Sequence, residues 1–178
     1  MKTLFERMSK GAVGELPPRP MKALTLWQPW ASLVVAECKP YEFRKWRAPA
    51  SIVGQRIVIH ASARKADMRE VKRLLRLLHA GGRYAAQTCL TPVDAAIAVL
   101  EQGSWPLGAG LGTAIVGEPR DGIAIGVDFG AIKVNDSSRN YHANWGWPML
   151  EIERWAEPIP MRGAQGLWTW STPEWADG

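Results

Sequence analysis

Short apolar runs alternate with polar stretches along most of the chain, a pattern typical of a fold built from short strands and helices. Residues 22–27 alternate well enough for a first strand, and the run at 56–61, introduced by Gly54, is typical of a buried strand. Further strands or extended segments are predicted at residues 39–46, 113–116, 123–127, 149–159 and 166–170. Between them we expect a flexible loop at 108–112, a turn at 118–122 and a polar loop at 135–144.

The clearest helix is predicted at residues 67–79. Asp67 and Glu70 form a D-x-x-E capping box at its start, and two glycines after it supply the stop. One side carries an apolar stripe and the other carries cations: the stripe is Val71, Leu74, Leu75 and Leu78, and the cations are Arg69, Lys72, Arg73 and Arg76. Shorter helices are predicted at 30–36, after Pro29, and at 91–100, with Thr91 as the cap.

The order of these elements favours one α+β domain built on a small mixed β-barrel of about six strands, with two or three flanking helices. Residues 1–20 end in a proline-rich, helix-hostile stretch and are predicted to be an N-terminal arm. The domain is expected at 21–171, with a helical insertion at about 80–111, and a C-terminal tail at 172–178.

Charge is unevenly distributed along the chain, whose formal net charge is +5. Residues 39–83 contain twelve lysines and arginines against three acids, whereas the rest of the chain is net acidic. One face of the protein is therefore expected to meet a phosphate backbone, although a solubilising helix face would show the same asymmetry. Ten tryptophans are available for the core, for an interface or for stacking against bases.

Several function classes find no support in the composition. Cys38 and Cys89 lack metal-type spacing and are expected to be free thiols, and the scattered histidines (His60, His79 and His142) suggest no zinc site. We recognise no membrane span, export signal or phosphate-binding glycine loop. The expectation is a cytoplasmic protein without metal or cofactor.

Three charged residues, Lys39, Glu42 and Arg44, form a K-x-x-E-x-R motif in a specific setting. A strand-W-Q-P-W block at residues 24–31 precedes it, an I-x-I-H-A block follows at 57–61, and an R-G-A-Q-G-L-W block stands at 162–168. In this order the blocks resemble the ASCH domain family (activating-signal-cointegrator homology), which has a PUA-like β-barrel and the signature G-x-K-x-x-E-x-R. The resemblance covers residues 21–170, with Glu37 where the family usually has glycine.

The resemblance implies a cleft, lined by the signature residues, that accepts RNA or a nucleobase. Some small bacterial members look like enzymes, either ribonucleases or amidohydrolases that remove the acetyl group from acetylcytidine. Those amidohydrolases have threonine at the position of Glu42, so the departure here favours binding of RNA, single-stranded nucleic acid or a nucleoside. The alternatives are an enzyme that uses Lys39 and Glu42, and a protein-interaction domain that docks through its tryptophans.

The residues themselves suggest how such a site could work. Arg44 offers a planar guanidinium that can bind a phosphate or a base edge. Lys39 supplies a compact positive charge, and Glu42 can accept a hydrogen bond or act as a general base. On a regular strand Lys39 would point away from the other two, unless the following proline re-aims it; a purely structural ion-pair cluster is the competing interpretation. The other candidate contacts with nucleic acid are Trp27, Gln28, Trp46, His60, Trp145, Gln165 and the four cations of the predicted helix, Arg69, Lys72, Arg73 and Arg76.

Overall fold

The computed structural model describes residues 20–131 and 143–171. Nearly all of the predicted N-terminal arm, most of the predicted polar loop at 135–144, His142 and the predicted C-terminal tail lie outside these residues.

Seven strands form a single mixed sheet. Six of them follow the order β2-β6-β4-β3-β1-β7, and β5 pairs with β6 beside this path. The pairing of β1 with β3 is parallel, and the other pairings are antiparallel. The strands are β1 (Met21–Leu26), β2 (Tyr41–Arg44), β3 (Arg56–Ala61), β4 (Ala109–Val116), β5 (Arg120–Asp121), β6 (Trp145–Pro160) and β7 (Leu167–Trp170).

Five helices flank the sheet in the described residues: α1 (Trp30–Val35), α2 (Met68–Ala80), α3 (Gly82–Ala86), α4 (Val93–Glu101) and α5 (Gly122–Asp128). The α+β class, with a small mixed sheet and flanking helices, is confirmed. Two details of the prediction are wrong. There are more helices than the two or three expected. Among the described strands, β2 and β7 lie at opposite ends of the strand order and do not pair with each other, so the barrel is not closed.

The main core lies between one face of the sheet and α1. Alternate residues of β3, Ile57 and Ile59, pack there with Leu24, Val34 and Trp147, all nearly inaccessible to solvent. A second core joins the helices: the apolar stripe of α2 packs with residues of α1 and α4, including Trp30, Leu33, Leu100 and also Cys38. Trp30 and Cys38 therefore connect the helical layer to the segment that leads into β2.

The predicted helix with a capping box is confirmed as α2. The carboxylate of Asp67 accepts a hydrogen bond from the backbone N–H of Arg69, and Gly81 ends the helix with φ of 66°. The Arg69 side chain, hydrogen-bonded to this carboxylate, is the main reason that the pKa of Asp67 lies below its usual value. For α4 the predicted cap is wrong, because the helix follows Pro92 and has no side-chain cap.

Residues 108–112, predicted to be a flexible loop, mostly belong to β4. The glycines serve close packing there. A Cβ on Gly110 would lie 2.7 Å from the rings of both Trp155 and Trp170, and a Cβ on Gly112 would lie 2.3 Å from the backbone oxygen of Glu153 on β6. Glycine therefore lets other parts of the fold approach the strand, and the end of the predicted insertion at 80–111 is part of the sheet.

Residues 123–127, predicted to be a strand, form most of α5 instead. Asp121 caps this helix by accepting hydrogen bonds from the backbone N–H groups of Ile123 and Ala124. Ile125 is buried, whereas Ile123 and Val127 remain exposed. The apolar run is thus explained by a local cap and not by burial in the sheet.

Candidate functional site

The turn after α1 sets the position of Lys39. Beyond the helix, the backbone N–H groups of Cys38 and Lys39 both donate to the carbonyl oxygen of Leu33. Glu37, inside this turn, has φ of 59°, in the left-handed region that glycine adopts most readily. The backbone then enters β2, which carries Glu42 and Arg44.

Lys39 is buried, with only 3 % of its surface exposed. Its ammonium donates to the carbonyl oxygen of Tyr41 at 2.7 Å and lies 3.5 Å from Glu42 Oε2. The ring centroids of Trp30 and Phe43 are 5.2 and 5.0 Å from Nζ, within the range of cation–π attraction. The charge of Lys39 is therefore stabilised by a carbonyl, a carboxylate and two aromatic rings.

Glu42 joins the two cations of the motif. Its Oε1 lies 2.9 Å from Arg44 Nε, while Oε2 faces the ammonium of Lys39. The Arg44 guanidinium is 5.8 Å from the ring centroid of Trp147, on β6 beside β2. The side chain of Arg44 keeps 19 % exposure against 10 % for Glu42 and 2 % for Lys39, so Arg44 is the group through which this cluster reaches the surface.

The three charged side chains thus converge, as expected if the segment around Pro40 re-aims Lys39. We call them the KER cluster: Lys39, Glu42 and Arg44. Phe43 packs into a small core with Cys89 and Ile125, and its ring also faces the ammonium of Lys39. Both cysteines are thiols, as predicted, and both are buried.

Tryptophans surround the outer end of the KER cluster. Trp46 follows β2 and is 56 % exposed, while its carbonyl oxygen accepts a hydrogen bond from the indole of Trp147 at 3.1 Å. Trp145 is half-buried, with the guanidinium of Arg47 5.1 Å from its ring centroid. Aromatic surface and arginine side chains therefore lie together at this edge of the sheet.

The family model of the ASCH domain matches residues 24–146. The chain belongs to the ASCH domain family. The matched segment extends from β1 to the start of β6 and contains the whole KER cluster. Comparison with curated proteins finds no match. The left-handed φ of Glu37 gives a physical reason for the glycine that ASCH domains usually have at this position.

His60 and Gln28 make contacts of their own, separate from those found in the KER cluster. The two ring nitrogens of His60 lie 3.2 Å from Thr25 Oγ1 and 2.9 Å from the carbonyl oxygen of Met161, and the ring is 1 % exposed. Because a carbonyl only accepts, the proton of the neutral ring is on Nε2. Burial lowers the pKa of His60. The Gln28 amide donates to the carbonyl oxygen of Pro106 and accepts from the N–H of Ser32, which explains its burial in structural terms.

The remaining predicted contacts are on other surfaces. On α2, Arg69, Lys72 and Arg76 are exposed and Arg73 is half-buried. Gln165 is exposed in the segment before β7. Trp27 is 39 % exposed and is covered by the guanidinium of Arg64, 4.1 Å from its ring centroid. The KER cluster and α2 are linked through Trp30, which contacts Lys39 and also belongs to the core under α2.

Sequence reasoning missed Arg64, Tyr84 and Arg83 as parts of these surfaces, and the buried Trp147 as the ring beside Arg44. The contact with Trp147 was detectable only through the pairing of β2 with β6. The part of the chain that the structure describes contains no helix able to cross a bilayer and no group of three metal-ligating side chains.

Proposed function

We propose that this ASCH domain binds RNA or a modified nucleobase at the KER cluster, with Arg44 as the group that contacts the ligand. The observation that carries this proposal is the graded exposure of the cluster, from nearly inaccessible Lys39 to partly exposed Arg44. Glu42 engages Arg44 through Nε. The fork of terminal nitrogens is the part of this side chain that would match phosphate or a base edge.

Lys39 and Glu42 support Arg44 in this proposal. A buried carboxylate between two cations holds the guanidinium in one orientation, and the cluster keeps one net positive charge for an anionic ligand. Trp46 and Trp145 provide stacking surface for a base close to Arg44. Exposed cations on α2 (Arg69, Lys72 and Arg76) would add phosphate contacts.

The geometry of Lys39 favours binding over catalysis. A lysine nucleophile or base must first lose a proton, whereas the protons of this ammonium are directed at the carbonyl oxygen of Tyr41 and at Glu42. Deprotonation would leave Glu42 with only Arg44 as its counterion among these three residues. The contacts of Lys39 therefore suit a positioning charge.

The test is fluorescence anisotropy with labelled RNA and DNA oligonucleotides at two salt concentrations, using Arg44→Ala and Arg154→Ala. Arg154 is exposed on β6 and serves as the matched loss of one positive charge. Because a hydrogen bond to a charged group contributes about 1.5–3 kcal/mol, Arg44→Ala should weaken RNA binding by roughly ten- to a hundred-fold. Arg154→Ala should have little effect. Absence of binding to either nucleic acid at low salt, or equal losses in the two variants, would refute the proposal.

A further inference from the structure

The outward side of α2 is a continuous basic surface. At 100° per residue, Arg69, Lys72, Arg73 and Arg76 all project within an arc of about 100°. The opposite side of the helix is buried in the core; Arg69, Lys72 and Arg76 are exposed, and Arg73 is half-buried. We call this surface the α2 face. Asp67 and Glu70 lie at the start of the helix, where Asp67 pairs with Arg69, and Glu101 of α4 pairs with His79 in the last turn.

An exposed aromatic ring covered by arginine lies at the N-terminal end of α2. The Arg64 guanidinium is 4.1 Å from the ring centroid of Trp27, which is 39 % exposed. Arg64 is only three residues before the N-cap Asp67, so its Cα lies within about 10 Å of the helix start. The exposed part of the indole is surface on which a planar group can stack.

A second pair of the same kind lies at the C-terminal end. The Arg83 guanidinium is 5.2 Å from the ring centroid of Tyr84, and Arg83 also donates to the Tyr84 hydroxyl at 3.4 Å. Tyr84 is 46 % exposed, on the short helix α3 that begins directly after α2. The 13 residues of α2 span about 20 Å and separate Arg64, before the helix, from Arg83 and Tyr84, after it.

Cations between two exposed rings match the chemistry of a single nucleic-acid strand. Lysine and arginine neutralise phosphates, and the rings stack on bases that a single strand leaves accessible and a duplex hides. Exposed rings and arginines also occur at protein–protein interfaces, but the run of cations beside these rings favours a polyanionic strand.

We propose that the α2 face, together with Trp27 and Tyr84, forms a path for single-stranded nucleic acid that continues from the KER cluster. This inference rests on the proposed function and sharpens it, because it makes the ligand a polynucleotide strand and not a free nucleoside. Trp30, which underlies α2 and contacts Lys39, makes the two surfaces part of one packed unit.

The test uses three probes: a labelled oligouridylate of about twelve nucleotides, the same strand paired with oligoadenylate, and uridine monophosphate. Tyr84→Leu and Trp27→Leu keep apolar bulk but remove the ring. Each should weaken binding of the single strand by about fivefold or more and leave binding of the duplex and of the nucleotide unchanged.

A charge variant, Lys72→Ala with Arg76→Ala, addresses the phosphate contacts. For the single strand, the plot of log affinity against log salt should become less steep by ~1.4, because each phosphate contact on a single strand contributes about 0.7 to the steepness. The matched control is Lys22→Ala with Arg154→Ala, two exposed cations on the sheet, which should leave the slope unchanged.

The outcomes separate this inference from the proposed function. If Arg44→Ala abolishes binding while the ring and charge variants on α2 bind the single strand like the wild type, the path is wrong and the proposed function stands. If Tyr84→Leu weakens binding but Arg44→Ala does not, the path stands and the role of Arg44 is wrong. Equal losses for duplex and single strand in Tyr84→Leu, or no binding of oligouridylate at low salt, overturn the path.

Discussion

The KER cluster and the α2 face place the same kinds of side chain in opposite environments. Lys39 is 3 % exposed and surrounded by a carboxylate, a carbonyl and two rings, whereas Lys72 and Arg76 point outward from a helix. A buried charge costs several kcal/mol unless it is paired, so the partners of Lys39 are part of the fold. Cations on the surface are hydrated and screened, so they are available to a ligand without being needed for stability.

The comparison shows why charge counts along a sequence do not separate structural from binding residues. Lys39, Arg44, Lys72 and Arg76 all contribute to the basic stretch at 39–83. In the fold the KER cluster lies at the sheet edge formed by β2, and the others lie on a helix of the outer layer. Substitutions in the two regions should therefore fail in different ways, which the following predictions examine.

The largest effect is expected for Glu42→Ala. Removal of this carboxylate takes a negative charge away from the buried ammonium of Lys39, which should lower the free energy of unfolding by about 3–5 kcal/mol. Urea denaturation measures the change. Glu42→Gln, which keeps the shape and an acceptor oxygen, should lose less and remains measurable if the alanine variant does not fold.

Glu118→Ala is the control for this prediction, because both side chains of the Glu118–Arg47 ion pair are exposed to solvent. Removal of an exposed pair should change stability little. Similar losses of stability in Glu42→Ala and Glu118→Ala would show that Glu42 contributes no more than a carboxylate in an exposed ion pair. The contrast between the KER cluster and the α2 face would then be wrong.

An intermediate effect is expected for Thr25→Val in a second, partly buried polar cluster. The Thr25 hydroxyl accepts from the indole of Trp168 at 2.9 Å and donates to the carbonyl oxygen of Ala164 at 2.7 Å. Loss of the hydroxyl removes both hydrogen bonds and should destabilise the protein by about 0.5–1.5 kcal/mol in urea. Thr169→Val, on the neighbouring strand and exposed, should be nearly neutral; an equal loss there would contradict the prediction.

The smallest effect is a dependence of stability on pH through His60. Burial lowers the pKa of His60 below its usual value of 6.5, so the unfolded chain takes up this proton more readily than the fold does. The stabilising contribution is complete above about pH 6.5 and is lost as the pH falls through the folded-state pKa.

The measurement is urea denaturation of the wild type and of His60→Gln at about pH 7.5 and about pH 5. The wild type should lose more stability on acidification than His60→Gln. His79→Gln, at an exposed histidine, should behave like the wild type. An identical loss in the wild type and in His60→Gln would show that the titration of His60 does not contribute.

Local signals in the sequence were sufficient for several elements and for the family. The apolar run at 56–61 became β3 without change, and Asp67 and Gly81 delimit α2 as their chemistry predicts. The order of the motif blocks identified the ASCH family, because each block is a short run of neighbouring residues. These features depend on backbone preferences and caps within a few residues.

Other features required the fold. In the strand at 109–116, Gly110 packs against Trp155 and Trp170, which come from far along the chain. The helix at 123–127 differs, because its cap, Asp121, is a local signal that the sequence already contained. The contact of Arg44 with Trp147 exists only through the pairing of β2 with β6. Local propensity carries no information on such partners.

By itself the sequence determined the family, the α+β class, the basic segment and the identity of Lys39, Glu42 and Arg44 as a motif. Only the tertiary structure decided that Lys39 is buried and that Arg44 reaches the surface. It also decided that arginines cover the exposed rings of Trp27 and Tyr84. The physical reason is that burial and solvation are set by residues brought together over long separations in the chain. The same positive charge can then serve the core or a ligand, and its surroundings determine which.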